Sequence, residues 1–196
     1  MSTKSIMIVG VGGQGTLLAS RILGNAVISE GYDVKVSEVH GMSQRGGSVV
    51  TYVRYGEKVD SPIIEKGGAD IILAFELLEA KRAVPFLKKG GKIIVNDQKM
   101  NPMPVILGAA DYPDDIDDVL NANADVIKLD AAKLAEEAGS LKAVNVVLIG
   151  VLAKSSDIAY DVWVNTIKAT VPEKFLDINL KAFDLGYNLT NKEAKI

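Results

Sequence analysis

Apolar residues follow two rhythms along this chain, and the switches between them predict its elements. Ile6-Met7-Ile8-Val9 is an unbroken apolar run, the mark of a strand covered on both faces, and predicts a first strand from Lys4 to Val9. From Thr16 to Glu30 the residues Leu17, Leu18, Ile22, Leu23, Ala26 and Val27 recur at helical spacing, with Gly31 placed to stop the helix. Tyr32 to Glu38 alternates through Val34 and Val36 and reads as a second strand. Such a β-α-β unit predicts parallel pairing of its two strands through a right-handed crossover.

Further on, Ser48 to Tyr55 is rich in β-branched and aromatic residues and predicts a strand, with Gly56-Glu57-Lys58 turning it back at Val59. Ser61-Pro62 has the form of an N-cap followed by proline at N1, so a short helix or turn is expected to Lys66. Asp70 to Phe75 predicts a buried strand, Glu76 to Lys89 a helix kinked or split at Pro85, and Lys92 to Asn96 a strand after Gly90-Gly91. Asn101-Pro102-Met103-Pro104 excludes regular structure, and Val105 to Leu107 is expected as a short edge strand. Asp111 to Asn123 predicts an acidic helix; aspartates complementing its N-terminal dipole are favoured over a cation site. A strand from Asp125 to Leu129, a helix from Ala131 to Ala138 closed by Gly139, the very apolar Lys142 to Lys154, and helices from Tyr160 to Thr170 and Glu173 to Tyr187 complete the chain. The expected fold is α/β: a three-layer, Rossmann-like domain with a mostly parallel sheet and a helical C-terminal part, spanning residues 1–196 as a single unit.

Composition narrows the chemistry. A formal net charge of −3 over 196 residues offers no electrostatic footprint for nucleic acid. With no cysteine there is no disulfide, no thiolate nucleophile and no iron–sulfur cluster held by this chain, and a single histidine argues against a His-built metal site. The N-terminus lacks a signal-peptide pattern, and the apolar stretch Ala143 to Ala153 is too short to span a bilayer, so a cytoplasmic protein without a membrane segment is expected.

Two glycine-bearing motifs carry the candidate chemistry. Gly10-Val11-Gly12-Gly13-Gln14-Gly15 stands between a strand and a helix, where glycines permit a tight turn and the helix N-terminus presents free N–H groups to an anion. Glu38 at the end of the second strand stands where a dinucleotide-binding domain holds its ribose. The loop from Glu38 through His40, Gly41, Met42, Ser43, Gln44, Arg45 and Gly46 to Gly47 belongs at the same carboxyl edge of the sheet. There Arg45 reads as an anion or carboxylate clamp and Gln44 as a hydrogen-bonding partner, against a solvated polar loop. No acid/base pair is identifiable by spacing, and no catalytic residue or metal ligand is assigned.

Taken together, Gly10 to Gly15, the Ser37 to Gly47 loop, the Ser61-Pro62 pair, and Ala69 to Glu76 before a helix containing Ala80 resemble the gamma-type subunit or domain of the 2-oxoacid:ferredoxin oxidoreductases, over essentially the whole chain. The resemblance implies oxidative decarboxylation of a 2-oxoacid, aromatic pyruvates foremost, by thiamine diphosphate. Electrons pass through iron–sulfur clusters to ferredoxin, and coenzyme A takes the acyl group as co-substrate. This chain lacks cluster cysteines and the Gly-Asp-Gly and Asn pattern of a thiamine diphosphate subunit, so both cofactors are expected on a larger partner subunit and the isolated chain is expected to be inactive. The positions matching the family motifs, expected on the cofactor side, are Gly10, Gly12, Gly13, Gln14 and Gly15, then Glu38, His40, Gly41, Met42, Ser43, Gln44, Arg45, Gly46 and Gly47. The competing readings are a free-standing Rossmann-type dinucleotide-binding enzyme, an adenylating enzyme, which the absence of cysteine disfavours, and a purely structural subunit.

Overall fold

Successive residues of the first apolar run go to two different cores. The computed structural model describes residues 3–41, 47–189 and 194–195. In β1 (Lys4–Val11), Ile6 and Ile8 enter one core while Met7 and Val9 enter the other, so the strand is buried on both faces as its composition predicts. The remaining strands are β2 (Asp33–His40), β3 (Ser48–Gly56), β4 (Ala69–Ala74), β5 (Leu87–Asn96), β6 (Asp125–Leu129) and the two-residue β7 (Ala194–Lys195). They form one sheet in the order β2-β3-β1-β4-β5-β6-β7, in which β1, β4, β5 and β6 are mutually parallel.

The expected parallel pairing of the first two strands does not occur. β3 lies between them, antiparallel to both, with Val9↔Val50 on one side and Val39↔Val50 on the other. The β2–β3 hairpin fills the place beside β1, so β2 keeps its parallel direction and becomes an edge strand. The return expected at Val59 is likewise a loop, held by the Val59 N–H donating to Asp33 Oδ2 at 2.8 Å.

One core holds α1 (Thr16–Ser29), α5 (Ala131–Ala138), α6 (Val144–Lys154), α7 (Tyr160–Thr170) and α8 (Leu176–Tyr187). The other, thinner layer holds α2 (Leu77–Ala83) and α4 (Ile116–Asn123). Apolar nearly all round, α6 is buried because the sheet and α1 take its inner side and α8 its outer side. Gly150 and Gly186 let those two helices touch backbone to backbone: a Cβ on Gly150 would stand 2.3 Å from Phe183 O, and one on Gly186 2.0 Å from Val147 O.

Three local expectations are met only in part or not at all, each for a visible reason. Ser61-Pro62 starts no helix, because the Arg54 guanidinium draws the Ser61 and Ile63 carbonyls to 2.9 and 3.2 Å and keeps the segment non-helical. The helix after Glu76 ends at Ala83: Val84–Phe86 tightens into a 3-10 turn around Pro85, and Leu87 already pairs with Ala69 in the sheet. Where an irregular segment and an edge strand were expected, Met103–Ile106 forms the short helix α3, with Pro102 and Pro104 at its start, where proline's fixed φ and missing N–H are tolerated.

Candidate functional site

The glycine turn lies at the carboxyl edge of the parallel strands, the place where open α/β sheets receive ligands. β1 runs through Gly10 to Val11, and the chain then reverses into α1 through Gly13 at φ +101° and Gly15 at φ +86°, conformations that suit glycine. Gly10 is required for a different reason. A Cβ there would stand 2.8 Å from Gln14 Oε1 and 2.9 Å from Phe75 Cβ.

The Gln14 side chain is a bolt across this edge. Its Oε1 accepts from the Val11 N–H at 2.7 Å, and its Nε2 lies 3.3 Å from Phe75 O, 3.2 Å from Gln98 Oε1 and 3.3 Å from Met100 Sδ. Gln14 thus ties the turn to the residue after β4 and to the segment after β5. Asn96, buried at the end of β5, extends the same network by donating to Phe75 O and Gln98 Oε1 and accepting from the Ala131 N–H.

The two motifs meet through the backbone, where the Gly12 N–H donates to Gly47 O at 2.9 Å. They share a cleft of 420 Å³ lined by Gly12, Gly13, Gly15, Thr16, Leu17, Glu38, His40 and Val49. One wall is the N-terminus of α1, whose cap residue Gly15 supplies no side chain, leaving first-turn N–H groups toward the cleft. The opposite wall pairs Glu38 Oε1 with His40 Nδ1 at 3.4 Å, and Thr51 Oγ1 donates to Glu38 Oε2 at 3.3 Å. Gly41 is exposed beyond them. Met42, Ser43, Gln44, Arg45 and Gly46 lie outside the described residues. In a dinucleotide site the acidic residue ends the strand next to β1; here β3 intervenes and moves Glu38 outward by a further strand spacing, roughly 4.8 Å.

Sequence reasoning missed the buried polar groups that hold this edge. Asn145, a polar residue within the apolar stretch Ala143 to Ala153, caps the turn from above by donating Nδ2 to Gly15 O at 3.3 Å. On the α2 side, Glu79 is buried and accepts from Ser48 Oγ at 2.6 Å and from Arg82 at 2.5 Å, tying the start of β3 to α2. Glu76 caps α2 through the Glu79 N–H, and its Oε2 makes no hydrogen bond among the described residues. Burial pushes the Glu76 carboxyl above its usual range, against the lowering effect of that same N–H. The available signal was position: polar residues directly after an apolar strand, at the carboxyl edge. Among the described residues no group of three or more His, Asp or Glu is placed to hold a metal, and no helix is long and apolar enough to cross a membrane.

The pyruvate ferredoxin/flavodoxin oxidoreductase family model matches residues 5–189. The indolepyruvate oxidoreductase subunit IorB of Pyrococcus horikoshii is 44% identical over 192 residues, 95% of either chain. Among solved structures, the gamma subunit of a keto/oxoacid ferredoxin oxidoreductase from Geobacter sulfurreducens PCA superposes with a TM-score of 0.71 at 24% identity, covering 94% of this chain and 96% of that one. The 2-oxoglutarate:ferredoxin oxidoreductase of Magnetococcus marinus, solved with 2-oxoglutarate, coenzyme A and succinyl-CoA bound, superposes with a TM-score of 0.73 at 18% identity. It covers all of this chain but 32% of that longer one, so the likeness there is of fold.

Proposed function

Because the chain belongs to the pyruvate ferredoxin/flavodoxin oxidoreductase family, we propose that it is the smaller, cluster-free subunit of a heteromeric 2-oxoacid:ferredoxin oxidoreductase acting on indolepyruvate and related aryl pyruvates. The observation that carries this reading is the 44% identity with an indolepyruvate oxidoreductase subunit over 95% of either chain. The reaction joins the acyl group of the 2-oxoacid to coenzyme A, releases carbon dioxide and passes an electron pair to ferredoxin. The donor set of this chain does not fit the redox groups: it has no cysteine for a cluster and, among the described residues, no acidic group placed to hold the metal of a diphosphate cofactor. Thiamine diphosphate and the clusters therefore fall to the larger subunit, in a cytoplasmic complex that needs neither nucleic acid nor membrane.

What this chain supplies is shape and polarity at the acyl-acceptor side. The first-turn N–H groups of α1 at Thr16 and Leu17 offer an anion surface suited to the phosphates of coenzyme A. Glu38 and His40 face it across the cleft, while Gln14, Asn96 and Asn145 hold the edge rigid. The test is anaerobic co-purification with the larger subunit, followed by viologen reduction across indolepyruvate, phenylpyruvate, pyruvate, 2-oxoisovalerate and 2-oxoglutarate, with and without coenzyme A. Indolepyruvate is expected to give the highest kcat/KM, with acyl-CoA formed. A preference for 2-oxoglutarate or pyruvate would refute the substrate reading, and turnover by this chain alone would refute the subunit reading.

A further inference from the structure

A small knob beyond β5 exposes several large apolar side chains close together in the chain. Between Asn101 and Ala110 there is no charged residue, and within it Met103, Ile106 and Leu107 are 60%, 62% and 73% exposed. Other large apolar residues at the surface, such as Ile28 on α1 and Phe175 before α8, stand singly and need no partner. The knob is internally bonded. The Leu107 N–H donates to Met103 O at 2.9 Å and the Ala109 N–H to Pro104 O at 2.8 Å, with Pro102 and Pro104 stiffening the entry. It is also rooted in the glycine edge: Gln14 Nε2 reaches Gln98 Oε1 and Met100 Sδ, and the Leu77 N–H donates to Gln98 O at 2.9 Å.

We propose that this knob, led by Met103, Ile106 and Leu107, is the anchor by which the chain docks into an apolar groove of the larger oxidoreductase subunit. The proposal rests on the subunit reading above and adds to it the surface that makes the contact. Two observations select the larger subunit over a second copy. The knob is continuous with the edge that carries both glycine motifs, so a partner completing that edge covers the knob as well. In the Magnetococcus marinus structure the same fold is 32% of one longer polypeptide, so there its neighbours include the remainder of an oxidoreductase chain. Three side chains also fall well short of the roughly 800 Å² per partner that a self-standing interface buries, which suits an anchor within a larger contact. A preformed, internally bonded knob loses little entropy on docking, and side chains seated in fully desolvated pockets of an interface carry a disproportionate share of its binding energy.

The test uses the complex. The larger subunit, tagged and co-expressed with this chain, is purified anaerobically, and its dissociation on dilution is followed by mass photometry. The comparison is between wild type, the double variant Ile106→Asp/Leu107→Asp, and Ile28→Asp as an exposed apolar control 55% accessible on α1. The double variant is expected to weaken association on the order of tenfold or more, as loss of an interface hot spot does, while the control matches wild type. Hydrogen exchange on wild type supplies a readout free of any mutant folding defect: the amides of 103–110 should slow on complex formation. Equal association of wild type and double variant, or unchanged exchange over 103–110, overturns the docking surface while leaving the subunit reading intact. Failure of wild type to bind the larger subunit overturns both. A double variant that loses self-association but still binds the larger subunit identifies a second copy as the occupant and overturns the proposal.

Discussion

Gly13 and Gly15 allow the construction of the site to be tested at two neighbouring positions that share one backbone requirement. Both have positive φ, +101° and +86°, so alanine at either strains the backbone by about 1–2 kcal/mol. Their surroundings differ. Nothing lies within 4 Å of a Cβ on Gly13, whereas one on Gly15 would stand 2.6 Å from Asn145 Nδ2. Asn145 is not free to swing away, since it is buried and held by Gly15 O and the Val146 N–H. Overpacking against it adds about 1–3 kcal/mol. Gly15→Ala is therefore expected to lose about 2–5 kcal/mol, and Gly13→Ala about 1–2 kcal/mol. Asn145→Ala alone leaves a buried N–H without its side-chain acceptor and loses about 1–3 kcal/mol. The double variant should be more stable than the sum of its parts by about 1–2 kcal/mol, because the obstacle is gone while the backbone strain persists. Urea unfolding followed by far-ultraviolet circular dichroism reads all four stabilities. Equal losses at Gly13 and Gly15, or simple additivity with Asn145→Ala, would refute the packing of α6 onto the turn.

Gly150→Ala drives α6 and α8 apart, because the obstructing atoms, Phe183 O at 2.3 Å and Tyr187 N at 2.7 Å, are backbone; a loss of about 3 kcal/mol or more is expected. Gly24→Ala in α1 meets only Val36 Cγ2 at 4.0 Å and should raise stability by about 0.5–1 kcal/mol, so melting temperatures should fall in the order Gly24→Ala, wild type, Gly150→Ala. Glu76 titrates above its unfolded value of 4.5, so the folded state holds its proton longer than the unfolded state does. Stability is therefore lost as pH rises from that value through the raised pKa. Glu76→Gln removes this titration while keeping the capping oxygen, and its stability relative to wild type should increase over that window in urea unfolding. A difference independent of pH would show that the carboxyl is not held protonated by burial.

What was legible in the sequence was local. The Gly10 to Gly15 turn follows from an apolar strand, residues able to take positive φ and an amphipathic helix, and the structure places each of them as read. Gly139 at φ +116° ends α5 for the same local reason. Long-range pairing was not legible: nothing in Tyr32 to Glu38 announces that Ser48–Gly56 will pass between it and β1, because the pattern fixes which face is buried but not which strand is the neighbour. Tertiary contacts also overrode two sound local signals. Arg54 captured the Ser61-Pro62 segment, and the β4 pairing at Ala69↔Leu87 drew into the sheet a stretch whose pattern had predicted helix to Lys89. At the site, glycines were readable and amides were not. That Gln14, Asn96 and Asn145 tie the edge together could not be read from the sequence, because the partners of an amide are set by contacts with residues distant in the chain.

The central claim, that this chain is the cluster-free partner in a heteromeric oxidoreductase, is tested most directly by separating the subunits of the anaerobically purified complex. Iron, thiamine diphosphate and indolepyruvate-dependent viologen reduction are then measured in each fraction and in the recombined pair. The account predicts iron and thiamine diphosphate in the larger subunit alone, with turnover restored only on recombination. Turnover by this chain by itself, or full turnover by the larger subunit without it, would contradict the account.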